Sequence, residues 1–300
     1  MDFKEAEFLD GKIILKGCKN FNIKQTFECG QCFRWEKTKE GTYIGVVYGR
    51  VIELEQKEDI ITIHNTNKKD FENIWIDYFD LERNYEVIKE ELSKDELLNK
   101  AVEYGYGIRL LNQDPFELLI SFIISARNSI PAIMKTIKKI SEKWGKPLEY
   151  KGNTYYSFPT PKELGKATLE EIRDTGASFR SKYIVDTIAK VNDSLESDSL
   201  DKEFDLERIK SLSDDECHIE LQKFQGVGAK VADCIMLFSM RKYSAFPVDV
   251  WVKRAMQHFY LAPDVSLPKI RIFARNKFKE LSGFAQQYFF YYARENNIKV

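Results

Sequence analysis

The chain has 300 residues, long enough for two domains and a sizeable core. Hydrophobic residues make up 43% and charged residues 31%, which excludes a disordered or collagen-like chain and fits an ordinary globular protein. The net charge of −1 excludes a uniformly basic surface.

The first part of the chain is β-rich. Lys12–Leu15, Cys32–Lys37, Thr42–Tyr48, Val51–Leu54 and Ile60–His64 carry β-branched and aromatic residues, often alternating, and Gly11, Gly41 and Gly49 punctuate them. This pattern predicts a twisted antiparallel sheet. A first helix is expected over Asp70–Phe79, with Phe71, Ile74, Trp75 and Tyr78 on one face. From about Ser93 the pattern turns helical. One helix is expected from Pro115 to Ile124, and a second from Ile130 to Trp144 after Ser125–Ser129. A loop with Gly152, Pro159 and Pro161 follows. The fold class expected is α+β: an antiparallel sheet domain with helices over 1–98, then an all-helical domain over 99–300.

The stretch 213–259 is the most informative. Ser213 and Glu216 have capping-box spacing, so a helix should begin there. It meets Gln225-Gly226-Val227-Gly228, and a new helix begins near Ala229. The glycines allow unusual backbone angles and close approach. The free N–H groups of the new helix, helped by its dipole, suit a phosphate. A Gly-x-Gly turn alone fits a plain helix–helix connection equally well. Lys230 lies in the first turn of the new helix, where the positive dipole end disfavours protonation and favours a nucleophilic amine. The alternative is a solvated surface lysine. Pro247-Val248-Asp249-Val250 starts a third helix, with Asp249 as N-cap. Residues 251–300 hold 9 Lys and Arg against 3 Asp and Glu, a local basic surface sufficient for phosphate contacts.

Five cysteines, Cys18, Cys29, Cys32, Cys217 and Cys234, are odd in number and scattered. That argues against a disulfide framework and suits a reducing cytoplasm. No secretory signal or membrane span is expected. Cys29-x-x-Cys32 has no second cysteine pair, so a zinc site is not expected. His64, His218 and His258 show no metal-ligand spacing and are assigned to packing or surface.

Leu221 to Arg254, with GVGAKVADC followed by PVDV, resembles the helix-hairpin-helix signature of the HhH-GPD DNA glycosylase superfamily. Three further stretches widen the likeness to 8-oxoguanine DNA glycosylase/AP lyases, of a bacterial, clostridial-like type. They are Cys29-Gly30-Gln31-Cys32-Phe33-Arg34-Trp35, Ile108-Arg109-Leu110-Leu111-Asn112-Gln113-Asp114-Pro115, and the end of the chain. The resemblance implies base-excision repair on double-stranded DNA containing 8-oxoguanine. Lys230 would form a Schiff base, followed by β-elimination, and Asp249 would stabilise the sugar's positive charge. The base would be flipped out. It would be read by the Gly30 carbonyl and Gln286, contacted by Pro247, and sandwiched between Cys234 and Phe290. Taken alone, Gly30 also suits a bulge, and Cys234 and Phe290 suit a core.

The resemblance further implies DNA contacts from Arg127, Asn128, Phe179, Arg180, Gly226, Val227, Gly228 and Trp251. It also implies a K+ or Na+ ion on the carbonyls of Gln222, Phe224 and Val227. No cofactor is otherwise required, and no iron–sulfur cluster is expected. A monomer in the cytoplasm, associated with the nucleoid, is expected. The chain departs from the family at Arg127, where an asparagine is usual, at Ala132, where an arginine is usual, and at Phe179, where a wedge tyrosine is usual, while Arg180 keeps the family's cytosine-reading arginine. These changes imply relaxed selectivity for the opposite base. Two other readings stay open: an alkylated-purine glycosylase that uses water, and a helix-hairpin-helix module that binds DNA without chemistry.

Overall fold

Alternating apolar residues build strands such as Lys12–Lys16 and Ile60–His64, and one face of each of these two is buried. The computed structural model describes residues 1–196, 202–260 and 265–298. Its main sheet has six strands: β1 Glu5–Leu9, β2 Lys12–Lys16, β3 Trp35–Lys37, β4 Tyr43–Val47, β5 Arg50–Lys57 and β6 Ile60–His64. Their spatial order is β1-β2-β6-β5-β4-β3. β2 pairs antiparallel with β6, placing Ile13 opposite Ile63 and Leu15 opposite Ile61. All four are fully buried, as a period of two requires for one covered face. The fold is thus α+β, with an antiparallel sheet followed by helices.

The structure corrects several boundaries. β1 escapes the sequence pattern because Glu5-Ala6-Glu7-Phe8-Leu9 lacks β-branched residues and sits at an edge, largely exposed. Residues Cys32 to Arg34 are not strand. A short helix, Ile23–Glu28, precedes them, capped by the Asn22 side chain, which accepts from the Gln25 N–H at 2.9 Å. The helix expected over Asp70–Phe79 exists, but it widens to a π-helical turn at Phe71–Trp75. The expected loop around Gly152 is a hairpin of β7 Pro147–Tyr150 and β8 Asn153–Tyr156. Its two turn residues, Lys151 and Gly152, both have positive φ, which suits a two-residue hairpin.

The chain divides into two compact units that interleave in sequence. One comprises Met1–Cys32, Leu54–Asn112 and Arg241–Val300; the other comprises Phe33–Glu53 and Gln113–Met240. The boundary expected at 98/99 falls inside helix Glu96–Tyr104, whereas compactness cuts the chain by packing. In the first unit, the buried Arg109 guanidinium donates to the Phe79 carbonyl at 2.8 Å and to the Asp80 carbonyl, and pairs with Asp2. Helix Ser282–Glu295 packs there against Val250–Phe259 and Glu96–Tyr104. In the second unit, helix Pro115–Ser125 packs against helix Ala229–Ser239, and Phe122 stacks on Phe238 at 6.0 Å.

One carboxylate ties the β7–β8 hairpin to the main sheet within the second unit. Glu53 accepts from Thr42 at 2.6 Å and Tyr150 at 2.7 Å, and pairs with Lys151 at 2.6 Å. Burial pushes its carboxyl up, but the Lys151, Thr42 and Tyr150 hydrogen bonds outweigh burial and hold it at about 2. A folded-state value below the unfolded one stabilises above the unfolded value. That stability is lost as pH falls through about 2. Urea denaturation across this window should therefore show less acid sensitivity in Glu53→Gln than in the native chain. Equal acid sensitivity would remove Glu53 from the account.

Candidate active site

The hairpin is built from a capped helix, a glycine turn and an uncapped helix. Ser213 accepts from the Glu216 N–H, and the Glu216 carboxylate accepts from the Ser213 N–H at 3.1 Å, closing a capping box. Helix Asp214–Leu221 follows. The turn after it is closed by the Val227 N–H donating to the Phe224 carbonyl at 3.1 Å. Gly226 has φ +83, and a β-carbon there would lie 2.7 Å from the Tyr183 ring. Gly228 faces open space, and no side chain caps the helix Ala229–Ser239 that it begins. The first N–H groups of that helix have no intrahelical acceptor, so the end suits an anion.

Lys230 is half-buried in the first turn of that helix. Its Nζ lies 5.2 Å from the centre of the Phe122 ring. Cys234, one turn further along, is buried. So is Asp233, which lies 3.6 Å from His218 Nε2. Gln222 donates to His218 Nδ1 at 3.0 Å. This pairing links the two helices of the hairpin, and sequence reading missed it. Its signal is an aspartate on the buried face of an apolar helix, where a charged group needs a partner.

Two further segments of the same unit carry expected DNA contacts. Helix Pro115–Ser125 ends at Ala126, and the next residue, Arg127, takes φ +52. The Arg127 side chain is exposed. The Asn128 amide donates to the Ile124 carbonyl at 3.1 Å. Phe179 is 52% exposed, the projection a wedge needs. Arg180 is only 5% exposed, and its guanidinium is bonded to backbone carbonyls. Burial lowers its pKa.

The other expected residues lie in the first unit. Asp249 caps helix Val250–Phe259, its carboxylate accepting from the Val252 N–H at 2.8 Å, as the sequence predicts. Pro247 is buried beside it in sequence, and Trp251 is half-buried with Arg254 over its ring at 5.0 Å. Gly30 has φ +81, and a β-carbon there would come within 3.0 Å of the Phe290 ring. The Gln287 amide fixes this loop by donating to the Cys29 carbonyl at 2.7 Å. Gln286 is 4% exposed, and its Oε1 has no hydrogen-bond donor among the described residues. Thus Gly30, Gln286 and Phe290 lie on two adjoining elements, a tight loop and one face of a helix. The five cysteines are free and buried.

Family models match the chain over most of its length. Residues 13–119 match the 8-oxoguanine DNA glycosylase N-terminal domain, and residues 120–280 match the HhH-GPD superfamily base excision DNA repair proteins. This chain belongs to the HhH-GPD superfamily. A probable N-glycosylase/DNA lyase of Methanothermobacter thermautotrophicus is 32% identical over 240 residues, 73% of this chain and 72% of that one. The N-glycosylase/DNA lyase OGG1 of Arabidopsis thaliana is 30% identical over 279 residues, 88% of this chain and 75% of that one. Among solved structures, the Clostridium acetobutylicum 8-oxoguanine glycosylase/lyase, bound to double-stranded DNA with cytosine opposite the lesion, is 55% identical. It has a TM-score of 0.95 and covers 99% of this chain and 100% of its own. The 3-methyladenine DNA glycosylase of Archaeoglobus fulgidus, 24% identical with a TM-score of 0.70 over 92% of this chain and 93% of its own, shares the HhH-GPD fold. Among the described residues no helix is long and apolar enough to cross a membrane.

Gly30 provides a direct test of this loop. Gly30→Ala should destabilise the protein by about 1–2 kcal/mol, from the left-handed backbone angle alone. The new methyl should also push Phe290 aside. Unchanged denaturation midpoints in urea would show that the loop tolerates a β-carbon.

Proposed function

We propose that this protein excises 8-oxoguanine from duplex DNA and then cuts the strand at the resulting abasic site. The observation that carries this reading is a half-buried lysine in the first turn of an uncapped helix, directly after a glycine hairpin. A few turns on, an aspartate caps the next helix. In the reading, the hairpin amides of Gly226 and Gly228 hold a phosphate beside Val227, whose N–H keeps the turn closed, and Trp251 adds an indole N–H. Arg127, Asn128, Phe179 and Arg180 serve the gap left by the flipped base. The Gly30 carbonyl accepts the ring N–H that distinguishes the oxidised base, and Gln286 bonds its edge. Pro247 lines the base pocket, and Cys234 and Phe290 stack on the two faces of the base.

The chemistry follows from two groups. As the glycosidic bond breaks, the sugar becomes oxocarbenium-like, and the Asp249 carboxylate stabilises that charge. The Lys230 amine forms a bond to the anomeric carbon as the base leaves with the bonding electron pair. Opening of the sugar ring gives a protonated Schiff base, which acidifies the neighbouring C–H. Loss of that proton expels the 3′ phosphate by β-elimination. A monovalent cation would rest on the turn carbonyls of Gln222, Phe224 and Val227; Phe224 O carries one turn hydrogen bond and keeps a second lone pair. It would stiffen the turn, with no role in the chemistry, and no iron–sulfur cluster is invoked. The protein acts as a monomer in the cytoplasm, at the nucleoid.

Sodium borohydride trapping on a duplex with one 8-oxoguanine tests the route. The native chain should give a covalent complex, and Lys230→Gln should give none while still binding DNA. Excision without a trapped complex would favour a water-using alkylpurine-type glycosylase. No excision would favour a binding module.

Opposite-base selectivity offers a second test. Ala132, half-buried near the start of helix Ile130–Trp144, lacks the donors of an arginine. Ala132→Arg should sharpen the preference for cytosine by about 1–3 kcal/mol, the range of one good base contact. Single-turnover excision opposite all four bases measures it, and an unchanged profile would refute relaxed selectivity at this position.

A further inference from the structure

His218 has no part in the chemistry above, yet its ring is held on two sides. On its own helix, Gln222 Nε2 donates to the His218 carbonyl at 3.0 Å and to Nδ1 at 3.0 Å. A carbonyl only accepts, so the amide nitrogen is the atom that faces it, and Nδ1 is an acceptor. The ring proton therefore sits on Nε2. Nε2 faces the next helix, 3.3 Å from the Ala229 carbonyl and 3.6 Å from Asp233 Oδ1. The His218 side chain is 13% exposed and the Asp233 side chain 1%.

Ala229 begins the first turn of helix Ala229–Ser239, Asp233 closes it, and Lys230 lies between them. In an α-helix each N–H bonds the carbonyl four residues back, so the Ala229 oxygen serves Asp233 and keeps a second lone pair for the ring. One imidazole thus grips both ends of the turn that carries the lysine. The rest of the connection fixes that turn less firmly. Gly226 takes φ +83, and no side chain caps the helix start. Val227 and Val231 are buried at this corner, but apolar packing is non-directional and leaves a helix free to rotate about its axis. A hydrogen bond from the preceding helix is directional and removes that freedom.

We propose that His218 is a positioning residue: anchored by Gln222, it pins the Ala229–Asp233 turn against helix Asp214–Leu221 and so sets the direction in which the Lys230 side chain leaves its helix. The nucleophilic role of Lys230 rests on the function proposed above. Asp233 fits the same account. A carboxylate buried on an apolar face is costly unless paired, and an aliphatic residue would pack there more cheaply; the pair with His218 fixes the register of the two helices. A nucleophile displaced by about 1 Å loses up to roughly a hundredfold in rate. The pinning therefore acts on the chemical step more than on DNA affinity, which many other contacts share.

The test uses the full chain and a duplex carrying one 8-oxoguanine. Single-turnover excision is measured against protein concentration for the native chain, His218→Ala, His218→Gln and His218→Asn, which separates the limiting rate from the half-saturating concentration. A glutamine amide nitrogen can stand where Nε2 stood and donate to the Ala229 carbonyl, whereas an asparagine amide reaches only as far as Nδ1. His218→Ala and His218→Asn should lower the limiting rate by roughly 10–100-fold, with a smaller change in half-saturation. His218→Gln should restore most of the rate. If His218→Ala does not fold, the glutamine and asparagine variants carry the comparison. Amide hydrogen exchange over residues 226–236 is followed on the same proteins without DNA. It should quicken in the alanine and asparagine variants and return towards native in the glutamine variant. A native rate in His218→Ala, equal losses in the glutamine and asparagine variants, or a loss lying wholly in half-saturation overturns the proposal. So does unchanged exchange in His218→Ala. Exchange needs no substrate, so a native chain that shows this exchange pattern and excises nothing refutes the proposed activity and leaves the pinning of the turn standing.

Discussion

The packing of helix Pro115–Ser125 against helix Ala229–Ser239 is the constraint on which the second unit depends. Both helices are almost wholly buried, so neither can slide without opening a cavity. Their contact stacks Phe122 on Phe238 and brings the Lys230 amine over the Phe122 ring. The start of one helix thereby presents the glycine hairpin, and the end of the other presents the Arg127 turn. Lys230 and Arg127 thus stand at helix ends whose positions are dictated by apolar side chains along the helix bodies.

Charge is distributed by the same logic. The chain is nearly neutral, and many surface cations are paired, as Arg173 is with Glu170 and Lys143 with Glu171. Such exposed pairs contribute little stability but mute the surface field. Arg127, Arg180 and Lys230 have no such carboxylate partners among the described residues of their unit. Local positive charge of this kind does not require the whole protein to be basic.

The sequence made the hairpin legible because its signals are local. A capping box, two glycines and a Pro-Val-Asp start each constrain a few neighbouring residues, and the structure has each element where those residues predict it. β2 and β6 were legible through strict alternation. What escaped depends on partners far along the chain. The β7–β8 hairpin turns on Lys151-Gly152, a weaker signal than Asn-Gly, and is tied down by Glu53 from a strand almost a hundred residues earlier. Arg180 looks like a free cation in sequence because its partners are main-chain carbonyls of residues 126 and 127, which no side-chain pattern reveals. The interleaving of the two units was equally hidden, since composition changes along the chain while compactness is decided in space.

The solitary amide oxygen of Gln286 has a consequence for how such a protein ages under selection. A buried acceptor with no donor among the described residues costs about 1–3 kcal/mol of desolvation. A methionine or leucine of similar bulk would remove that cost and leave a sturdier protein. Selection for thermal robustness alone would therefore favour such a replacement at this position.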